Sequence, residues 1–220
     1  MKEWGVAIQG GFFSEEKHIY RDEAGVVVPS TTQVFEILAM NDFSKVRDSD
    51  LEWKRQYGNA VHRGIELLAT ENLDWDSVPE EVIPAVTGAE QFLKELQYEH
   101  ESAEERKVVA INGMKYGATL DLRGTIMYHG VRRNIVIDWK TGTKASPTWA
   151  WQGGGYVPSL TYLLLIAQVS KTGKVTPYWI EPIKAQREFL YLLAAAILKL
   201  NSGLAQIRNV EDGDEQRASD

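Results

Sequence analysis

The chain has 220 residues with 44% hydrophobic content, enough to bury one core. It carries no cysteine, which excludes disulfides, thiolate zinc sites and cysteine-ligated iron–sulfur clusters. A formal net charge of -7 is the wrong sign for a uniformly cationic nucleic-acid surface, although carboxylates gathered around a metal ion would be neutralised by it.

In chain order, residues 4–9 and 18–28 read as strands, the second stretch bracketing the turn Asp22-Glu23-Ala24-Gly25, and predict an N-terminal β-hairpin. The opening MKEWGVAIQGG lacks a basic start followed by a long apolar run, so no signal peptide is expected and the chain is placed in the cytoplasm. Pro29-Ser30 offers a cap before the helix TQVFEILAM, and a longer helix over 51–69 carries His62 and Glu66 four residues apart on one face. Pro79 and Pro84 punctuate the next segment, before a helix through AEQFLKEL. Strands are expected over 105–111, 114–127 and 131–140, with His129-Gly130 turning between the last two.

Residues 160–169 and 175–180 then flank Ser170-Lys171-Thr172-Gly173, a hairpin signal. The apolar run Phe189–Leu198 is far shorter than the roughly 20 residues that span a bilayer. It is read as a packed C-terminal helix, and no membrane partner is expected. Residues 206–220 are polar and acidic, with too little apolar surface to offset ordering entropy, and are expected to be disordered. The organisation is therefore one α/β domain over 1–205 and an acidic tail, with no oligomeric state indicated.

The most informative segment is IVIDWKTG. Alternate strand residues share a face, so Asp138 and Lys140 emerge side by side while Trp139 faces the other way. Acidic-x-Lys recurs at Glu15, Glu52 and Glu105, but only Asp138 follows an apolar strand and precedes the turn signal Thr141-Gly142. A second carboxylate, Asp121, lies in YGATLDLRG. Paired carboxylates suit magnesium or manganese, which need anionic oxygen ligands, and a nearby lysine can stabilise attacking hydroxide and charge building on a phosphate. The sequence has no Gly-x-x-x-x-Gly-Lys-Ser/Thr loop and no His-Glu-x-x-His, which speaks against an ATP-driven motor and a histidine-rich zinc hydrolase.

Further features surround this strand in a fixed order: His62 in GNAVHRGIELLA, Glu105 opening EERKVVAINGMKYGATLD, and Gln152 and Tyr156 in WAWQGGGYV. With these, the chain resembles the RecB-like branch of the PD-(D/E)xK nuclease superfamily from about Pro29 to about Leu200. The resemblance implies a restriction-endonuclease-like core, a central mixed β-sheet flanked by helices. It implies that Asp121, Asp138 and Glu105 ligate Mg2+ or Mn2+, that His62 completes the site or binds a second ion, and that the Trp139 backbone carbonyl contributes. Lys140 would orient and activate water, and Gln152 and Tyr156 would hold a DNA strand or the lysine.

The sequence departs from the pattern at Ala118, where the family has glycine, and Gly117 stands one residue earlier. Glu104 or Glu101 could replace Glu105, because a one-residue slip reverses the face of a strand residue; Glu105 ranks first on its spacing to Tyr116 and Asp121. Three consecutive glycines, Gly153–Gly155, predict a short helix or one ordered only on substrate. Trp139, Trp149 and Trp151 could stack unpaired bases, with core packing the better account of Trp139, which faces away from Asp138. The expected activity is metal-dependent DNA hydrolysis by an exonuclease of recombination, repair or phage DNA metabolism, giving 5'-phosphate and 3'-hydroxyl ends. A helicase or recombinase partner fits the missing motor. The alternative is a noncatalytic nucleic-acid-binding or assembly module that keeps the nuclease fold.

Overall fold

The computed structural model describes residues 5–40, 48–142, 144–157 and 159–207. Trp4, at the start of the first expected strand, and 208–220 of the acidic tail lie outside the described residues. The chain divides into two compact units, Met1–Asp42 with Arg106–Thr119 and Arg187–Asp220, and Phe43–Glu105 with Leu120–Gln186.

In the first unit, β1 (Val6–Ile8), β2 (Gly11–Ser14), β3 (Ile19–Asp22) and β4 (Val27–Val28) form an antiparallel sheet in sequence order. The expected hairpin is its β3–β4 half, where Asp22 Oδ1 accepts from the backbone N–H groups of Ala24 at 3.0 Å and Val26 at 2.9 Å. The glycines that hid β2 make its turn: Gly10, at φ +78, lets β2 fold back on β1. Phe13, Tyr20, Val28 and Val108 form the local core. α1 (Thr31–Ile37) begins with a capping box between Ser30 and Gln33.

The second unit carries most of a five-stranded sheet of order β5 (Glu99–Ile111), β6 (Met114–Tyr128), β7 (Val131–Lys140), β8 (Leu163–Val169), β9 (Val175–Ile180). β6–β7 and β8–β9 are antiparallel whereas β7–β8 is parallel, so the sheet is mixed. The parallel step requires a crossover, supplied by α4 (Pro147–Tyr156). Ile135, Ile137 and Trp139 of β7 are buried with Tyr57, Val61 and Ile65 of α2 (Asp48–Ala69) and Val86, Ala89 and Leu93 of α3 (Ile83–Glu95).

α3 starts earlier than expected because Pro84 sits in its first turn, where the missing N–H is no loss. The same holds for Pro182 at the start of α5 (Pro182–Asn201). Strand alternation puts Val136, Asp138 and Lys140 on the face opposite Trp139. α4 packs there, because a Cβ on Gly153 would lie 3.1 Å from Leu164 Cδ1 and 3.2 Å from Ile166 Cδ1, the β8 partners of Val136 and Asp138. The glycine run is thus a ten-residue helix pressed close to its neighbours: a Cβ on Gly154 would meet the Ala185 carbonyl at 2.3 Å. Among the described residues no helix is long and apolar enough to cross a membrane.

Candidate metal centre and its lysine

β7 ends in the residues that matter. Asp138 is only 1% exposed, and Lys140 Nζ lies 2.8 Å from its Oδ2, close enough for an ion pair though not aligned as a hydrogen bond. Lys140 Nζ also donates to Gln152 Oε1 at 2.9 Å, and Gln152 Nε2 donates to the Tyr156 hydroxyl at 2.5 Å. The four-residue spacing of Gln152 and Tyr156 puts them one helical turn apart on α4. β7 and α4 therefore fix the ammonium between a carboxylate and an amide.

Two residues beyond Ile137, where the pairing with β6 has ended at Leu122↔Ile137, the Trp139 N–H is taken by a side chain: it donates to Asp121 Oδ2 at 2.7 Å. The same oxygen lies 3.2 Å from His62 Nδ1, brought in by α2. Ligand atoms of His62, Glu104 and Asp121 lie within 4.8 Å of one another, so these three residues could hold a metal ion. Two carboxylate oxygens and one imidazole nitrogen suit a hard divalent cation, with the imidazole favouring manganese over magnesium.

Glu104 enters this cluster because β5 is kinked there. Its φ is +47, in the left-handed region that L residues seldom adopt. Glu105 turns elsewhere: its Oε2 lies 3.0 Å from Arg123 Nε and accepts from Ser102 Oγ at 2.8 Å. Glu101 lies 3.2 Å from Arg123 Nη2. Counting a regular strand back from Asp121 cannot register such a kink, and no residue type in EERK announces it.

The charges act on one another. Burial lowers the affinity of the His62 imidazole for its proton, but the adjacent Asp121 carboxylate outweighs this and raises its pKa. Asp121 is also opposed by burial, yet His62 and then Lys140 hold it below the usual carboxylate range. Asp138 is pushed up to about 6, by burial first and by repulsion from Asp121, with Lys140 pulling the other way. Asp138 thus feels both His62 and Asp121 while being paired with Lys140.

Sequence reasoning passed over the support beneath the lysine's loop. Gln168 Nε2 donates to the Gly142 carbonyl, and Tyr178 donates to Gln168 Oε1 at 3.0 Å. Neither residue has a sequence signal beyond strand alternation. Trp139 is buried edge-on to Phe92 with ring centroids 6.1 Å apart, and half-buried Trp149 meets Tyr178 at 6.3 Å.

No protein-family model matches the chain, and no curated protein matches it. Among solved structures, the crystal structure of SSO0001 is 19% identical at a TM-score of 0.34, covering 63% of this chain and 72% of that one. A protein from Eubacterium rectale with a provisional exonuclease assignment is 13% identical at a TM-score of 0.42, covering 70% of this chain and 71% of that one. With both TM-scores below 0.5, the functional reading rests on the site itself.

Proposed function

We propose that the chain is a metal-dependent DNA nuclease of the PD-(D/E)xK kind, acting in the cytoplasm as an exonuclease in recombination, repair or phage DNA metabolism. The observation that carries the reading is the approach of His62, Glu104 and Asp121 to one another beside a lysine clamped by Asp138 and Gln152. A structural cluster would not need a buried carboxylate, a lysine and a separate donor set to share one electrostatic environment.

Glu104 and Asp121, with His62, hold Mg2+ or Mn2+, and Asp138 and the Trp139 carbonyl complete the ligand set. The ion, when bound, supplies positive charge next to the scissile phosphate. Asp121 is kept in place by the Trp139 N–H and His62. Lys140 donates from its ammonium to the attacking water and to the oxygen on which charge builds. Gln152 keeps that ammonium pointed inward, and the Tyr156 hydroxyl fixes Gln152. The products are a 5'-phosphate and a 3'-hydroxyl, and a helicase or recombinase supplies the motor.

The test is cleavage of labelled single- and double-stranded DNA with magnesium, manganese or a chelator. Cleavage that needs the ion and disappears in Asp121→Asn and Lys140→Ala proteins is expected. Cleavage that persists in both variants sinks the assignment, and DNA binding without cleavage under any divalent ion makes the chain a binding module.

A further inference from the structure

We infer that Arg123 is a positioning residue for the metal centre: it grips β5 on both sides of Glu104 and so maintains the kink that turns Glu104 toward His62 and Asp121. The inference rests on the metal-binding reading above. Arg123 follows Asp121 by two residues on β6, so the two side chains share a face. Its Nη2 lies 3.2 Å from Glu101 Oε1 and its Nε 3.0 Å from Glu105 Oε2, and Nε donates to Ser102 Oγ at 3.2 Å. Ser102 Oγ in turn donates to Glu105 Oε2. These contacts straddle Glu104 in the chain.

The backbone is registered at the same place. The Tyr98 hydroxyl donates to the Arg123 carbonyl at 2.8 Å. A Cβ on Gly124 would lie 2.1 Å from the Glu99 carbonyl oxygen, so only glycine admits the start of β5 there. A left-handed glutamate in a strand is held only by surroundings that over-determine it. Removing the guanidinium takes away the positive charge held between Glu101 and Glu105 next to Glu104, and both repulsion and backbone preference favour straightening the strand. A straightened strand changes the face its residues present.

The experiment is manganese titration calorimetry on the full chain, with circular dichroism to confirm folding. Arg123→Ala is expected to weaken manganese binding about tenfold or more, the usual effect of removing a residue that orients a ligand. Arg123→Lys restores part of the loss, having the charge without the fork. In a Glu104→Gln background, Arg123→Ala costs nothing further, because it acts through Glu104; a general structural role would give additive losses. Unchanged affinity in folded Arg123→Ala, or additive losses, overturns the inference. If Arg123→Ala does not fold, Glu101→Ala with Glu105→Ala removes the clamp from the other side. The same loss is expected there, and wild-type affinity overturns the inference. Failure of the unaltered protein to bind manganese overturns the metal reading itself, and the inference with it.

Discussion

Lys140 Nζ stands 2.8 Å from Asp138 Oδ2 at a point where both side chains are largely shielded, 16% and 2% exposed. A shielded ammonium beside a carboxylate is a preorganised donor, because its orientation is set before substrate arrives. Lys140→Ala is expected to lower DNA cleavage by about 10²–10³, the range for losing one such donor. Manganese binding, followed by calorimetry, should persist. Simultaneous loss of ion binding would make the lysine a structural support of the cluster.

The ligand set separates two neighbouring carboxylates. Glu104→Gln, Asp121→Asn and His62→Ala should each weaken manganese binding by an order of magnitude or more, since each removes a direct donor. Glu105→Gln should lose far less, because the amide still accepts from Arg123. Equal losses from Glu104→Gln and Glu105→Gln would refute the division of roles.

The kink has a cost that glycine would relieve. A left-handed L residue costs roughly 1–2 kcal/mol, and glycine gives back roughly 0.5–1 kcal/mol through the freer unfolded chain. Glu104→Gly should therefore raise the stability of the metal-free protein by up to about 1 kcal/mol in urea unfolding, while abolishing manganese binding. A less stable variant would show that the Glu104 side chain does more for the fold than the kink costs.

The pH dependence follows from the direction of each shift. His62 is raised above its ordinary 6.5, so its contribution to stability is full below that value and is lost as pH rises through its higher folded value. Asp138 holds its proton up to about 6 against an ordinary 3.8, so the folded state binds the extra proton and loses stability as pH climbs across that interval. Asp121 runs the other way, contributing above 3.8 and losing it as pH falls through its lowered folded value. The metal-free protein should thus weaken from mildly acidic toward neutral pH, where a divalent ion binds best because its ligands are unprotonated. Calorimetry in two buffers of different ionisation enthalpy should detect proton release at about pH 5.5 and at least tenfold weaker manganese binding than at about pH 7.5. A pH-independent affinity would contradict this.

The glycines of α4 divide by what surrounds them. A methyl at Gly153 meets only Leu164 and Ile166 side-chain tips at 3.1 to 3.2 Å, which can shift. That strain is offset by the about 1 kcal/mol that alanine gains over glycine in a helix. At Gly154 the methyl would strike Ala185 backbone at 2.3 Å. Gly154→Ala should lower stability by about 1–3 kcal/mol and Gly153→Ala should be near neutral, by thermal unfolding.

How much of this the sequence disclosed depends on the range of the signal. The mixed α/β architecture with its central sheet was legible from strand and turn patterns, and the placing of Asp138 and Lys140 on one face from simple alternation. The spacing of Gln152 and Tyr156 disclosed their shared helix face. Glu104 stood in the sequence only as an alternative to Glu105, because a left-handed residue inside a strand shifts the count without changing composition. The clamp at Arg123 and the support from Gln168 were equally hidden, since both depend on strands brought together only by the fold. Pro84 misled in the opposite sense, being part of a helix start that looked like punctuation before one.

The kink at Glu104 has a second effect, on how the molecule meets its own copies. β5 is the outermost strand of the five-stranded sheet, where an unbroken ribbon would invite a neighbouring chain to add on. Its first half instead carries Glu99, Glu101, Glu104 and Glu105, with the extended backbone interrupted by the left-handed Glu104 in their midst. The distortion that delivers a carboxylate inward also spoils the template for intermolecular strand addition, so relieving it would expose the protein to self-association.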